Sequence, residues 1–313
     1  MKKIIALLMI MFVLCGCGSK GKYTVGVIQL VQHDALDAAT QGFVDELTNE
    51  FGDDIVIDVQ NASGDSATCL TMATSFVSNG YDLIMANATP ALQAAAHATS
   101  SIPVLGTSVT EYGVALDLKD FNGVVGGNVS GTSDLAPLDD QAQMILDLFP
   151  NTKKVGIIYC SAEANSLYQV NIVKEYLEKK NIEVVTASFL DSNEVSSVAD
   201  SICQEIDALY IPTDNTCASN GGMISSAAIK YDVPIIAGEK GICENCECVA
   251  TFTIDYYELG KTTGAMAAKI LKGESDISTM PIEYYASPMK LYNKERAEHF
   301  GVTIPSDYKL LED

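Results

Sequence analysis

Three short apolar runs of strand length occur twice along the chain, in the same order, with helical patterns between them. The first run, VGVI at residues 25–28, is matched by VGII at 155–158. The other two pairs are DLIM at 82–85 with DALY at 207–210, and IPVLG at 102–106 with VPIIAG at 233–238. Buried strands that alternate with helices are typical of parallel α/β folds. The repeat therefore predicts two similar α/β lobes.

Apolar residues between the runs keep the three- and four-residue spacing of helices that pack one face on a sheet. In the first such segment these positions are Leu36, Ala39, Phe43, Leu47 and Phe51. Further helices are predicted near residues 69–79, from Thr89 onward, and near 138–149, 166–180, 194–204, 217–231 and 255–272. The last of these has no strand partner in the second run, so we expect it to cross back to the first lobe.

The predicted fold class is α/β, with two Rossmann-like lobes of parallel sheet joined by a hinge of several crossovers. We expect the first lobe at residues 23–130 plus 255–286, and the second at 131–254 plus 287–313. Open α/β sheets bind ligands beyond the carboxyl ends of their strands. The cleft between the lobes is therefore the predicted site for a small molecule.

The first residues have the features of an export signal. Two lysines precede an apolar run at residues 4–14, which is too short to span a bilayer. The sequence that follows resembles the bacterial lipobox, in which the cysteine, here Cys17, becomes the lipidated N-terminus. Residues 1–17 are then a lipoprotein signal peptide, and 18–22 are a short tether. The alternative is an ordinary signal peptide cut nearby. The mature protein is expected on the extracytoplasmic face of the membrane, held by lipid alone.

Composition and charge narrow the class of partner. Acidic residues number 41 against 19 basic ones, which gives a net charge of −22. Such a surface repels phosphate backbones, so nucleic acid is excluded as a partner. Hydrophobic residues make up 48% of the chain, with a mean hydropathy of +0.16, which excludes a disordered protein. The length suits two domains, and a monomer is expected.

The cysteines are not arranged as a disulfide framework. Of nine, Cys15 would leave with the signal peptide and Cys17 would carry lipid. The remaining seven are Cys69, Cys160, Cys203, Cys217, Cys243, Cys246 and Cys248. Only the last three are clustered, and three alternatives fit them: part of a zinc site, a local disulfide, or free thiols. A closed zinc site needs four ligands and no fourth is evident nearby, so no metal is assigned.

Residues after the predicted strands are rich in hydroxyl and amide groups, with few acids and no lysine or arginine. The candidate ligand-binding residues are Gln32, His33, Thr89, Thr107, Ser108, Thr132, Ser133, Ser161, Glu163, Asn165, Ser166, Thr213, Asp214, Asn215 and Glu239. Hydroxyls and helix N-termini can hold a carboxylate, and a buried acid can hold an ammonium group, so the set suits a zwitterion. Asp214 is the first candidate for that acid, followed by Glu163 and Glu239. Taken singly, Thr89, Ser166 and Thr213 are equally well explained as helix caps.

Motifs of catalysis are missing from the sequence. It contains three histidines, and none stands at a recognisable spacing from a nucleophile and a carboxylate. It has neither the H-E-x-x-H zinc motif nor a Walker phosphate loop. An enzyme is therefore not expected, and no cofactor is assigned.

Nine stretches together resemble the substrate-binding lipoproteins of ABC transporters of the tryptophan/tyrosine type. They are VGVIQ at 25–29, His33, QGF at 41–43, Ala88-Thr89-Pro90, GNVSGTSD at 127–134, VGIIY at 155–159, EANS at 163–166, YIPTDNT at 210–216 and IDYYELG at 254–260. The resemblance implies a type I periplasmic-binding-protein fold. It also implies capture of an amino acid, an aromatic one by preference, for delivery to a membrane permease and its ATPase.

Two segments depart from the family pattern. Residues 241–250 contain three cysteines where family members are glycine-rich, and Glu111 stands where an aspartate followed by proline is expected. Both departures are expected at the rim of the cleft, so they bear on ligand identity. The alternatives to solute capture are a ligand-sensing or adhesive surface lipoprotein and, less favoured, an extracytoplasmic enzyme.

Overall fold

The computed structural model describes residues 22–311, so the predicted signal peptide and Cys17 lie outside the described residues. The strands are β1 (Tyr23–Gln29), β2 (Ile55–Asn61), β3 (Leu83–Asn87), β4 (Val104–Thr107), β5 (Val129–Ser133), β6 (Lys154–Cys160), β7 (Glu183–Phe189), β8 (Ala208–Ile211), β9 (Ile235–Ala237), β10 (Ala250–Thr253), β11 (Glu283–Tyr284), β12 (Met289–Tyr292) and β13 (Lys309–Leu310). The helices are α1 (Asp34–Phe51), α2 (Ser66–Ser78), α3 (Thr89–Ala98), α4 (Tyr112–Ala115), α5 (Leu138–Leu148), α6 (Ala164–Lys179), α7 (Val195–Ile202), α8 (Asn215–Ser219), α9 (Gly221–Tyr231), α10 (Lys240–Asn245), α11 (Tyr256–Leu271) and α12 (Lys294–His299).

Two sheets define two lobes, which confirms the predicted fold class. The first sheet has the order β11-β5-β4-β3-β1-β2, and all its strand pairs are parallel. The second has the order β13-β12-β10-β9-β8-β6-β7, with β12 antiparallel to β10. The central strands β3 and β8 are buried along their whole length. Their apolar residues form the cores on both faces of each sheet.

Three segments connect the lobes: residues 134–137 after β5, 254–255 after β10, and 285–288 after β11. Because β5 pairs with β4 through Gly131 and with β11 through Ser133, the first lobe extends to Ser133. The predicted boundary after residue 130 is therefore wrong by three residues. Three crossovers make a stiff hinge.

Two helical predictions need correction. The helix predicted at 217–231 is two helices, α8 and α9, which are separated at Asn220, where the backbone leaves helical geometry (φ −124°, ψ 21°). The cysteine-containing segment after residue 239, for which no helix was predicted, contains the short helix α10. None of the helices within residues 22–311 combines the length and apolar character needed to cross a membrane.

Helix α11 packs along α1 with the two backbones in direct contact. A Cβ atom added at Gly260 would overlap the carbonyl oxygen of Ala39, and one at Gly42 would overlap that of Tyr257. Only glycine permits this approach of one helix to another. The hydroxyl of Thr263 then joins α11 to the sheet through Thr132, at 2.8 Å. The helix that enters from the second crossover is thus fixed to the first lobe.

Gly260→Ala should lower the free energy of unfolding by about 1–3 kcal/mol, because the added methyl group must push α1 and α11 apart. Gly222→Ala is the matched control, since Gly222 lies in helix α9 with open space around its Cβ position. That change should leave stability unchanged or raise it by up to about 1 kcal/mol. Urea denaturation measures both. Equal effects of the two substitutions would contradict the proposed close packing.

Candidate functional site

A narrow cavity of about 10 Å³ lies between the two lobes, at the ends of their strands. This volume holds about one water molecule, so the two lobes are closed tightly on each other and a bound solute would need them to move apart. The residues that line it are His33, Ala35, Leu36, Ser108, Thr110, Asp134, Asn165, Thr213, Asp214, Asn215, Ala218, Glu239, Ile242 and Tyr256. Seven of these are among the fifteen residues predicted from the strand ends: His33, Ser108, Asn165, Thr213, Asp214, Asn215 and Glu239. Another predicted residue, Glu163, does not line the cavity and lies behind Asn215.

Asp214 is a buried carboxyl group that caps helix α8. Its Oδ1 accepts the backbone N–H of Cys217 at 2.8 Å. Its Oδ2 accepts the backbone N–H of Cys160 and the hydroxyl of Ser166, both at 2.7 Å. Burial, with a smaller contribution from the neighbouring charge of Glu163, raises the pKa of Asp214 to about 7. Its hydrogen bonds hold together β6, α6 and α8.

Glu163 supports the same helix from behind the cavity. It accepts the backbone N–H groups of Asn215 and Thr216, at 3.0 and 2.9 Å, and the side chains of both residues. Glu163 and Asp214 together therefore satisfy the free N–H groups of the first turn of α8. Ser166 donates to Asp214 and is fully buried. Sequence reasoning placed these three side chains at the ligand, whereas the structure uses two of them to support the cavity wall.

Glu239 caps helix α10 at another side of the cavity. Its carboxylate accepts the backbone N–H groups of Gly241 and Ile242, at 2.7 and 2.5 Å. Burial raises the pKa of Glu239 to about 7. Like Asp214, this side chain is committed to a helix N-terminus while it also faces the cavity.

Asp134 is the cavity acid that sequence reasoning missed. It follows β5 directly, one residue beyond the predicted candidate Ser133, and is 4% exposed. Its Oδ2 accepts the hydroxyl of Tyr256 at 3.0 Å, whereas its Oδ1 has no hydrogen-bond partner in the described part of the chain. Burial raises the pKa of Asp134 to about 6, against the opposing effect of nearby hydroxyls. The signal was present, because Asp134 ends the GTSD motif.

Three further polar atoms of lining residues are unpartnered in the described chain, and one of them is Nδ1 of His33. Ser108 has a left-handed backbone (φ 52°), and its hydroxyl has no partner in the described chain. Asn165 donates to the carbonyl of Thr213 while its Oδ1 is unpartnered. These groups can exchange hydrogen bonds with a ligand.

Contacts across the cleft hold the lobes together. His33 of the first lobe and Asn215 of the second are joined through Nε2 and Oδ1 at 3.2 Å. Asn245 of α10 donates to Asp34 of α1 at 3.4 Å. Burial lowers the pKa of His33, so the ring is neutral near pH 7. The described chain is thus in a closed arrangement.

The apolar part of the cavity comes mainly from helices. Leu36 of α1, Ala218 of α8, Ile242 of α10 and Tyr256 at the start of α11 line it. Reasoning from strand ends could not find them. Their spacing in the sequence is that of ordinary core residues.

Three predicted hydroxyls are directed away from the cavity. Thr107 and Thr132 form a buried cluster with Thr263, with oxygen separations of 2.8–3.1 Å. The hydroxyl of Ser133 donates to the carbonyl of Thr110 at 2.8 Å. These side chains stabilise the first lobe and do not line the cavity.

Three other candidates are also placed elsewhere. Gln32 is exposed, and Ser161 is exposed with its hydroxyl donating to the carbonyl of Phe189. Thr89 is buried beside the first lobe's core, and the capping position of α3 is taken by Ala88, not by Thr89. Thr213 lines the cavity but does not cap a helix, since the capping position of α8 is held by Asp214.

The three alternatives for the cysteine cluster are resolved by a bond between Cys243 and Cys248. Cys246 is free and buried, as are the other four cysteines of the described chain. Within residues 22–311 no group of side chains is arranged to hold a metal ion.

The fold and cavity define a two-lobed binding protein that encloses a small molecule between α/β lobes. Residues 24–311 match the family model described as "ABC transporter substrate binding protein", and the chain belongs to this family. The members are substrate-binding proteins, not enzymes. A tyrosine-binding protein of Clostridioides difficile (strain R20291) is 40% identical over 270 residues, which are 84% of this chain and 76% of that protein.

Two solved structures show related proteins in different states. One, from Streptococcus pneumoniae in complex with L-Trp, is 35% identical, with a TM-score of 0.86 over 91% of this chain and 96% of that one. The other is the ligand-free, open structure of a substrate binding protein with adhesive properties from Clostridium difficile. It is 38% identical, with a TM-score of 0.70 over 92% of this chain and 98% of that one. The lobes of this chain are arranged more like those of the complex.

Lowering the pH from 8 to 6.5 should stabilise the ligand-free protein by about 1–2 kcal/mol. The pKa values of Asp134, Asp214 and Glu239 are raised, so these groups bind protons in the folded protein that the unfolded chain does not bind. Their contribution is therefore lost as pH rises through about 6–7. Urea denaturation at several pH values measures the effect.

Glu239→Gln should flatten this pH dependence, because one of the titrating groups is removed. Asp140→Asn, at an exposed position of α5, should leave the pH dependence unchanged.

Below pH 6.5 the lowered pKa of His33 acts in the opposite direction, since protonation of the buried ring destabilises the folded protein. Stability that falls between pH 8 and 6.5 would contradict the assignment.

Proposed function

We propose that this protein is the solute receptor of an ABC importer, that it captures an aromatic amino acid between its lobes, and that lipid on Cys17 anchors it outside the cell membrane. The observation that carries the proposal is the chemistry of the closed cavity. The buried carboxyl groups of Asp134, Asp214 and Glu239 line the cavity. None of the described residues around it is a lysine or an arginine. A ligand that brings its own positive charge fits such a cavity.

The remaining lining suits the other parts of an amino acid. The unpartnered hydroxyl of Ser108 can donate to a carboxylate. Leu36, Ile242 and Tyr256 offer apolar and aromatic surface to a ring. A related protein binds tyrosine and another was solved with L-Trp, which supports an aromatic side chain.

Closure of the lobes is the signal that a transporter can read. A ligand that contacts both lobes stabilises the closed state relative to the open one. Here the contacts come from Ser108 in the first lobe, Asn165 and Asp214 in the second, and the hinge residue Asp134. We propose that the permease and its ATPase act on this closed form, with the protein as a monomer.

L-Tyrosine, L-tryptophan or L-phenylalanine should raise the melting temperature of the purified protein. A ligand at about 100 times its dissociation constant adds about 2.7 kcal/mol of stability. A thermal-shift screen of the twenty amino acids measures this, with the D-enantiomers as controls of the same composition. Stabilisation by none of the aromatic amino acids would refute the proposed ligand class.

Cys17→Ala should abolish incorporation of a radiolabelled fatty acid into the protein expressed in bacteria, because the thioether anchor forms on that sulfur. Cys15→Ala is the matched control two residues away and should retain the label. Labelling of the Cys17→Ala protein at the wild-type level would show that Cys17 is not the anchor.

A further inference from the structure

We propose that Asp134, held by Tyr256 across the hinge, is the residue that accepts the ligand's ammonium group and so selects amine-bearing ligands. This inference rests on the proposed function and deepens it. It differs from the prediction made from sequence, which gave this role first to Asp214.

The other three acids that could accept the ammonium group already accept hydrogen bonds from the protein. Glu163 accepts from Asn165, Asn215 and Thr216, and both of its oxygens are used. Asp214 accepts three hydrogen bonds from within its own lobe. Glu239 accepts two backbone N–H groups, one on each oxygen. Each of these acids is compensated by the second lobe itself.

Asp134 is compensated less completely than these three acids, by the hydroxyl of Tyr256 and to a smaller extent by that of Thr110. The hydroxyl of Tyr256 reaches Oδ2, and Oδ1 is buried without a partner in the described chain. A buried carboxylate oxygen without a donor costs about 1–3 kcal/mol or more. An ammonium group has three N–H donors and a positive charge, so it removes that cost. Among the cavity acids, Asp134 gains most from a bound amine.

The position of Asp134 also links the ligand to the hinge. It opens the first crossover, residues 134–137, and its partner Tyr256 begins α11 directly after the second crossover. An ammonium group on Oδ1 therefore binds at the point where the two crossovers meet. Recognition of the amine and closure of the lobes then depend on the same pair of side chains.

The test removes the charge from the protein and the amine from the ligand separately. Asp134→Asn should weaken L-tyrosine and L-tryptophan binding about 10- to 100-fold, the range for a hydrogen bond between charged groups. It should not weaken binding of 3-(4-hydroxyphenyl)propionate and indole-3-propionate, which lack the amine. Isothermal titration calorimetry measures all four ligands, and the thermal unfolding of each variant shows that it is folded.

Two further variants keep the result interpretable. Tyr256→Phe removes only the hydroxyl that orients Asp134 and should cause a smaller loss, also confined to the amine-bearing ligands. Asp140→Asn removes an equal charge from an exposed position and should change no affinity.

The outcomes separate the two proposals. An unchanged affinity of Asp134→Asn for the amino acids, or an equal loss for the deaminated analogues, would overturn the role of Asp134 while solute capture stands. A wild-type protein that binds neither amino acid would overturn the proposed ligand class, and the role of Asp134 with it.

Discussion

Burial of carboxyl groups between the lobes is the constraint on which the rest of the site depends. A carboxylate taken out of water must be compensated by donors or by a positive charge. The second lobe provides donors by starting short helices at its acids. Asp214 and Glu163 receive the N–H groups of α8, and Glu239 receives those of α10. The paths of these helices around the cavity are therefore set by the acids that cap them.

That arrangement places three acidic side chains at the cavity and no lysine or arginine among its described lining residues. The neutral ring of His33, whose pKa is lowered by burial, supplies no compensating charge. Between the closed lobes lie three acids whose pKa values are raised, Asp134, Asp214 and Glu239. One carboxyl oxygen of Asp134 has no hydrogen-bond donor in the described chain. An ammonium group can donate to this unpartnered oxygen and bring a positive charge to the acids without removing any existing hydrogen bond. The same argument supports the proposal that a cavity without arginine or lysine takes up a zwitterion.

The sequence was sufficient for the lobes but only in part for the site. Strands such as β3 and β8 were predictable because a fully buried parallel strand is a continuous apolar run. The expectation that ligands bind beyond the carboxyl ends of the strands correctly placed Ser108 and Asp214 at the cavity. It does not say on which side of the sheet a given side chain lies. Thr132 lies inside β5, and its hydroxyl points to α11. Asp134 was missed because it lies in a crossover, and Leu36 and Ile242 because helical lining residues have the spacing of core residues.

Neither of the segments predicted to depart from the family pattern contributes a polar side chain to the described lining of the cavity. Glu111 caps α4 by accepting the N–H of Val114 at 2.5 Å and does not line the cavity. The first part of the three-cysteine segment forms α10, and the bond between Cys243 and Cys248 ties the C-terminal half of that helix to the residues that follow it. Gly241 of α10 lies against Asp34 of α1, where a Cβ would be 3.2 Å from the Asp34 Cβ. This segment is therefore the edge of the second lobe that meets the first on closure. Its side chain at the cavity is the apolar Ile242, whereas the polar lining comes mainly from residues at the strand ends and the hinge.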